Sequence, residues 1–238
     1  MYTKLQKHFS IFMLMARSSI YKIFLLMFAM IATETVLFYS ALSCSLEDAI
    51  FQSRIARVFG IFFVLLTALL CYTGYETSSK QDYTLMRLSV PEFWVFLWQS
   101  IYNTICYVIF WSVQLLLVIG FCYLYMHKHD YVVSNTQMLF LAFYRSPFIH
   151  SLFPFEEIVA WIKNIMLIVS LGICSAHYPL AHRKGKHCPE LILLLAITIL
   201  LFVQPFGKLY YCVSAIAGAF FCSYIAISHA HKEVYYES

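Results

Sequence analysis

A long apolar run that ends near Tyr125 places the strongest constraint on the fold of this chain. It follows Ser89-Val-Pro-Glu92, which has the spacing of a capping box with Pro91 in the first turn, so a helix is expected to start at Ser89. At 1.5 Å per residue this helix would be about 55 Å long, whereas the hydrocarbon of a bilayer is about 30 Å thick. Its first turns are therefore expected to lie at or below the membrane surface.

A short polar loop, residues 76–82, is predicted just before this helix. Asp82 can cap a helix of one to two turns at residues 83–88, and Arg87 lies near its end, where the helix dipole favours a cation. The pattern therefore predicts a small amphipathic helix between two membrane spans.

The composition is that of a membrane protein. Of 238 residues, 62% are hydrophobic and 12% are charged, against roughly 45–50% and about 25% in a soluble domain. The 16 Lys and Arg residues are scattered between apolar runs and form no basic face, so nucleic acid is not an expected partner. The eight Cys residues include no C-x-x-C pair, and neither a disulfide framework nor a metal site is expected.

The predicted fold is all-α, a polytopic membrane protein with one transmembrane domain over residues 1–238. A basic amphipathic helix at 1–18 is expected to lie in the headgroup plane. Six spans are predicted at about 20–40, 59–75, 100–126, 156–176, 190–204 and 208–228. Residues 131–155 are apolar but broken by Pro147 and Pro154, which indicates a helical element on the outer surface rather than a span.

Six spans place both termini on one side of the membrane. The segments on that side carry more Lys and Arg than those on the other, so the positive-inside rule predicts cytosolic termini.

Two ionisable residues, Glu34 and Lys163, fall within predicted spans. A charge in the hydrocarbon costs roughly 2.5 kcal/mol or more, so each is expected to face the bundle interior, a partner or the interface. One interpretation is a polar feature of a substrate path. The other is that Lys163 reaches toward the interface and Glu34 makes an interhelical hydrogen bond.

Three weaker motifs have simpler readings. Phe206-Gly-Lys-Leu209 lacks the upstream Gly and the Ser or Thr of a Walker A motif, so ATP is not bound by that means. His127-Lys-His-Asp130 could ligate a metal but is more typical of a solvated turn. His182, His187 and Cys188 could form a cysteine peptidase site, although Cys188 lies where a helix cap would.

The layout as a whole, with its N-terminal interfacial helix, two spans, a loop carrying a short helix and four more spans, resembles the membrane subunit of a type-2 ABC transporter. The most specific part is Tyr83-Thr-Leu-Met-Arg-Leu-Ser-Val-Pro-Glu92, which is similar to the Thr-Leu-x-x-Leu-x-Val-(Ser or Pro) pattern between spans two and three of that family. The family often has a re-entrant helical pair between spans five and six. Here that turn is only Gln204 to Lys208, and the long broken segment lies between spans three and four.

The resemblance implies a permease subunit of an ATP-driven exporter in the cytoplasmic membrane of a prokaryote, not itself an enzyme. It would work with two copies of an ATPase subunit, which would bind ATP and Mg²⁺, and with a second permease subunit, identical or related, in the lipid bilayer. No cofactor is expected in this chain. The ATPase-docking residues implied by the family's coupling helix are Gln81, Asp82, Tyr83, Leu85, Met86, Arg87 and Leu88.

Two other classes stay open. A substrate-capture subunit of an importer would have a polar pocket and no docking helix after span two. A membrane-embedded peptidase would need His or Cys residues gathered at one membrane depth.

Overall fold

The computed structural model of the chain is helical, and no strand occurs among the residues it describes. These are residues 2–41, 50–88, 91–128, 146–154, 157–183, 185–203 and 209–236. Within them, the side chains of 2–9, 11, 74–88, 203 and 232–236 are outside the description.

Residues 50–52 are helical, and seven further helices lie in this part of the chain. They are α1 (Tyr2–Ser40), α2 (Ile55–Leu88), α3 (Glu92–Lys128), α4 (Pro147–Leu152), α5 (Ile158–Arg183), α6 (Pro189–Val203) and α7 (Leu209–Tyr236). Five stretches within the described residues are long and apolar enough to cross a membrane, namely Phe12–Ser40, Ile50–Thr73, Glu92–Lys128, Ile158–Arg183 and Leu209–His231. The chain is therefore an all-helical, multi-pass membrane protein. Helix α6, the fifth predicted span, is apolar but has only 15 residues.

Large apolar side chains cover the outward faces of the long helices. Phe28 on α1, Leu116 on α3, and Phe220 and Phe221 on α7 are all more than half exposed. In water such surfaces would aggregate, whereas lipid tails solvate them without cost. The exposed apolar faces agree with the membrane class that the composition predicts.

Helix α1 contains no break at the predicted boundary between an interfacial helix (1–18) and span one (20–40). The chain has no Gly or Pro before residue 41. The hydroxyls of Ser18 and Ser19 donate to the carbonyl of Met15 at 2.9 Å, so these serines bond back to their own helix. The predicted interfacial segment and the predicted first span therefore belong to one helix.

Helix α2 likewise continues without interruption to Leu88. The predicted loop at residues 76–82 is wrong, and residues 83–88 are the last turns of α2 rather than a separate helix. No Gly or Pro lies between Tyr75 and Pro91, and the polar residues of this stretch are compatible with an exposed helix.

Helix α5 is the centre of the bundle and packs against α2, α3, α6 and α7. It packs tightly against α3 at Gly172, where an added Cβ would meet the Thr104 hydroxyl and lie 2.9 Å from the Thr104 backbone nitrogen. Pro179 has no N–H to donate to the carbonyl of Ser175. The Cys71 thiol lies 3.9 Å from that carbonyl and donates to it from α2.

The short helix α4 is buried against α3 and α6. The Ser151 hydroxyl lies 2.6 Å from the carbonyl of Phe202 near the end of α6, and the Asn164 amide of α5 donates to the carbonyl of Ser151 at 2.9 Å. The end of α6 is thus closed by another part of the protein. The predicted outer element rests on the bundle over residues 146–154, whereas residues 129–145 lie outside the described part.

A glycine turn connects α5 to α6. Gly185 has a φ of 68°, its N–H donates to the carbonyl of His182, and the N–H of Lys186 donates to the carbonyl of Ala181 at 2.9 Å. This pair of bonds is a Schellman motif, which ends α5 with a left-handed residue. Pro189 then occupies the first position of α6, where its missing N–H costs nothing.

Candidate functional site

The predicted ATPase-docking residues lie in the last two turns of α2. Their backbone is helical up to Leu88, but their side chains lie outside the described part of the structure. The structure thus places the segment at the far end of a spanning helix, and the docking contacts stay a prediction.

A largely polar stripe runs along the buried face of α3. Gln99, Asn103, Tyr107 and Gln114 are all buried, and Phe110 lies among them. Their spacing repeats nearly every 3.6 residues, so all five point the same way. Because a buried polar group is costly in a membrane unless it finds a partner, such a stripe indicates specific contacts along the bundle axis.

The part of this stripe that contains Asn103 and Tyr107 is hydrogen-bonded to two other helices. The Tyr107 hydroxyl donates to Thr67 of α2 at 3.0 Å, and the Asn103 amide donates to the Ser175 hydroxyl of α5 at 2.9 Å. A cavity of about 10 Å³ lies beside Gln99 and Asn103. That is the room of roughly one water molecule, so the stripe is closed in this conformation.

Five phenylalanines interrupt the stripe at the level of Phe110. They come from four helices and are Phe59, Phe63, Phe110, Phe148 and Phe202. The ring centroid of Phe59 lies 5.5 to 6.0 Å from those of the other four, Phe110, Phe63, Phe148 and Phe202. These distances suit tilted and edge-to-face aromatic packing. The phenylalanine cluster separates Asn103 and Tyr107 from Gln114.

Glu34 lies on the other side of the phenylalanine cluster and is fully buried. Its carboxylate accepts a hydrogen bond from the Gln114 amide at 2.9 Å, which joins α1 to α3. The second oxygen of Glu34 and the amide oxygen of Gln114 are buried with no protein partner among the described residues. Glu34 therefore makes an interhelical hydrogen bond, as one interpretation of the sequence predicts. The two remaining oxygen atoms of the pair could each accept a hydrogen bond from a further donor.

Lys163 is buried in the second turn of α5, within electrostatic range of Cys212 on α7 and of Glu157 just before α5. The structure does not bring it together with Glu34. The two ionisable residues chosen from the sequence are therefore separate features.

A second polar group lies at the end of the bundle that holds the α5–α6 turn. The Nδ1 atom of His177 lies 3.4 Å from Oε1 of Glu190 and 3.8 Å from Sγ of Cys188. The three ligating atoms are within 4.8 Å of one another. His177 and Cys188 are buried, and the side chain of Glu190 is 10% exposed. The His229 ring of α7 lies 5.9 Å from that of His177.

The sequence prediction chose other histidines for Cys188. His182 and His187 are exposed, whereas the histidine that reaches Cys188 is His177, nearly two turns before the end of α5. The sequence signal that could have found it is an antiparallel helix pair, in which a residue before the turn faces one after it. His127 is exposed at the end of α3, and residues 129 and 130 lie outside the described part.

An apolar cavity of about 580 Å³ lies between α2, α5 and α6. Its lining includes Val64, Ala68, Tyr178, Leu191 and Leu195. Its size is that of a small-molecule site, and its apolar walls suit an acyl chain or another apolar group.

Comparison with known proteins gives no match, since no protein-family model, no curated protein and no solved structure matches this chain. Functional inference therefore depends on the residues and contacts described above.

Proposed function

We propose that this chain is the permease subunit of an ATP-driven ABC transporter of the exporter type. The observation that carries the proposal is the continuity of α2, which stays helical for 15 residues past Thr73, where its apolar window ends. At 1.5 Å per residue this extension is about 22 Å long. Its last six residues, 83–88, belong to the stretch from Tyr83 to Glu92, whose sequence resembles the coupling segment of that family.

A continuous helix is a mechanical connection. Because α3 begins at Glu92, four residues after α2 ends, a displacement of the segment between them acts on two spanning helices at once. Helix α2 contacts α1, α5 and α6, and α3 contacts α1, α5 and α7. Movement of an ATPase against this segment would therefore reach every long helix of the bundle.

The polar stripe on α3 is the substrate path in this proposal. It is closed here by the phenylalanine cluster and by the bonds of Tyr107 and Asn103. Alternation between two packings of α2 and α3 would break these contacts and open the stripe toward a second permease subunit. Two ATPase subunits would bind ATP and Mg²⁺, and the complex would lie in the cytoplasmic membrane of a prokaryote with the termini in the cytosol.

The experiment that tests the proposal is affinity purification of the full chain from its native membrane. We expect a soluble chain with a Walker A motif to co-purify and to give ATP hydrolysis. Leu85→Asp and Leu88→Asp should abolish both, because they place charge in the docking segment. Ser79→Asp is the matched control, since it adds the same charge to the same helix outside that segment.

If the ATPase stays bound with equal yield in Leu85→Asp and Leu88→Asp, the docking assignment is wrong. If no nucleotide hydrolase accompanies the wild-type chain, the transporter class itself is refuted.

A further inference from the structure

We propose that His177, Cys188 and Glu190 form a binding site for a divalent transition metal ion, with Zn²⁺ as the best fit. The site lies where the end of α5 faces the start of α6. Nothing in the permease proposal requires it, so the two can fail independently.

Two of the three separations between donor atoms are close to those of tetrahedral zinc, and the third, from Sγ of Cys188 to the carboxylate of Glu190, is within 4.8 Å. With Zn–N and Zn–O distances of about 2.0–2.1 Å and Zn–S of about 2.3 Å, tetrahedral angles put N and O about 3.3 Å apart and N and S about 3.6 Å apart. The structure has 3.4 Å from Nδ1 of His177 to Oε1 of Glu190 and 3.8 Å from Nδ1 to Sγ of Cys188. One ion can therefore touch both pairs with shifts of a few tenths of an ångström.

The three side chains converge on one nitrogen atom. In a nucleophile–base–carboxylate relay the histidine uses one ring nitrogen for the nucleophile and the other for the carboxylate. Here Sγ of Cys188 and Oε1 of Glu190 both approach Nδ1 of His177. Because both groups approach the same ring nitrogen, the peptidase interpretation is disfavoured. The three donor atoms all lie within 4.8 Å of one another, as ligands of one cation must.

Charge balance also favours a dication. A thiolate at Cys188 and the carboxylate of Glu190 would together neutralise it, leaving a buried site without net charge. Both ligands lie at the start of α6, where the helix dipole stabilises negative groups. Thiolate and imidazole ligands together select zinc over magnesium or calcium, which prefer oxygen.

The surroundings hold the ligands in place. The Schellman motif at Gly185 and Pro189 restrict the backbone between the two helices. The rings of Phe96 and His177 pack edge to face, with centroids 6.4 Å apart. Three protein ligands leave a fourth position for water or another donor, an arrangement found in zinc sites that do more than stabilise a fold.

The test is metal content and cobalt spectroscopy of the full chain purified in detergent. We expect about one zinc per chain after dialysis against trace Zn²⁺. Replacement by Co²⁺ should give a near-ultraviolet thiolate-to-cobalt band and the intense visible bands of tetrahedral cobalt. His177→Gln, Cys188→Ser and Glu190→Gln should each weaken binding by about 100-fold or more, because each removes a direct ligand.

Matched controls use neighbouring groups of the same chemistry. Cys222→Ser removes a buried thiol of α7, and His182→Gln removes an exposed histidine of α5; both should keep the zinc. Cys188→Asp separates ligation from folding, since it supplies a different ligand. It should retain Co²⁺ while the thiolate band disappears.

The proposal is overturned if the wild-type chain binds no more zinc than a variant that combines His177→Gln, Cys188→Ser and Glu190→Gln. It is also overturned if the thiolate band persists in Cys188→Asp, because another cysteine would then be the ligand.

Discussion

At Gly172 the close packing of α5 against α3 leaves no room for a side chain. A Cβ there would meet the Thr104 side chain and would lie 2.9 and 3.0 Å from the backbone N and Cα of Thr104. A side chain can rotate away, whereas the backbone of α3 cannot. We therefore expect Gly172→Ala to lower the free energy of unfolding by about 1–3 kcal/mol or more, measured by thermal unfolding in detergent.

The control for this prediction is Gly218→Ala on α7, where nothing lies within 4 Å of an added Cβ. Alanine favours a helix over glycine by roughly 1 kcal/mol, so this variant should be neutral or more stable. Equal stability of the two variants would show that α3 and α5 do not approach each other at Gly172.

The pair of Glu34 and Gln114 gives a second prediction at this scale. Glu34→Gln keeps an acceptor for the Gln114 amide, whereas Glu34→Leu leaves that amide buried without its partner. We expect Glu34→Leu to cost about 1 kcal/mol or more and Glu34→Gln to cost less. Thermal unfolding of both, and of the double variant Glu34→Leu/Gln114→Leu, measures the difference.

The double variant should recover part of the loss, because it removes both members of the pair. If all three variants unfold at the same temperature as the wild-type chain, the hydrogen bond between Glu34 and Gln114 contributes nothing to stability. A transport defect in a stable Glu34→Gln variant would favour the substrate-path interpretation of this residue.

Some of these residues were recognisable from the sequence. Glu34 and Lys163 stand out because a charge inside an apolar run is rare and costly. Gln114 and His177 do not stand out, because their importance depends on which faces of two helices meet. Helical rotation is set by packing between segments far apart in the chain, and one sequence gives no measure of it.

At the scale of elements, the small helix α4 has a defined role in closing α6. Ser151→Ala would remove the hydroxyl at 2.6 Å from the Phe202 carbonyl. Asn164→Ala would remove the donor to the Ser151 carbonyl. Each should lower the free energy of unfolding by about 1–2 kcal/mol, because each leaves a buried carbonyl without a donor.

Ser214→Ala is the control for both variants. Its exposed hydroxyl bonds only to Tyr211 within the same helix among the contacts described, so its loss should be close to neutral. If Ser151→Ala unfolds at a temperature as high as that of Ser214→Ala, the closing role of α4 is contradicted.

The elements also show where the sequence-based reading failed. Residues 76–82 are polar after an apolar run, and for that reason the sequence predicts a loop there. Polarity, however, marks only the end of the apolar environment. A helix commonly ends at a Gly or before a Pro, and the first of these after Gly74 is Pro91. Helices α1 and α2 therefore run on past the ends of their apolar parts.

For the whole molecule, the number of crossings depends on α6. Its start meets His177 near the end of α5, and its end meets α4 and, through Ser151, Asn164 near the start of α5. The helix thus runs antiparallel to α5 over a rise of about 18 Å. Because α6 is shorter than the hydrocarbon, a crossing here would need buried α4 to supply the remaining depth, where irregular backbone is tolerated within protein.

Labelling with a membrane-impermeant thiol reagent tests whether α6 crosses. Lys186→Cys and Lys208→Cys lie on either side of α6 and should label from opposite faces of the membrane. A Cys44→Ser background is suitable, because the other seven cysteines are buried and should stay unlabelled. Lys128→Cys at the end of α3 should label from the same face as Lys208→Cys. If Lys186→Cys and Lys208→Cys label from one face, α6 does not cross, and the bundle has the five spans defined by its long helices.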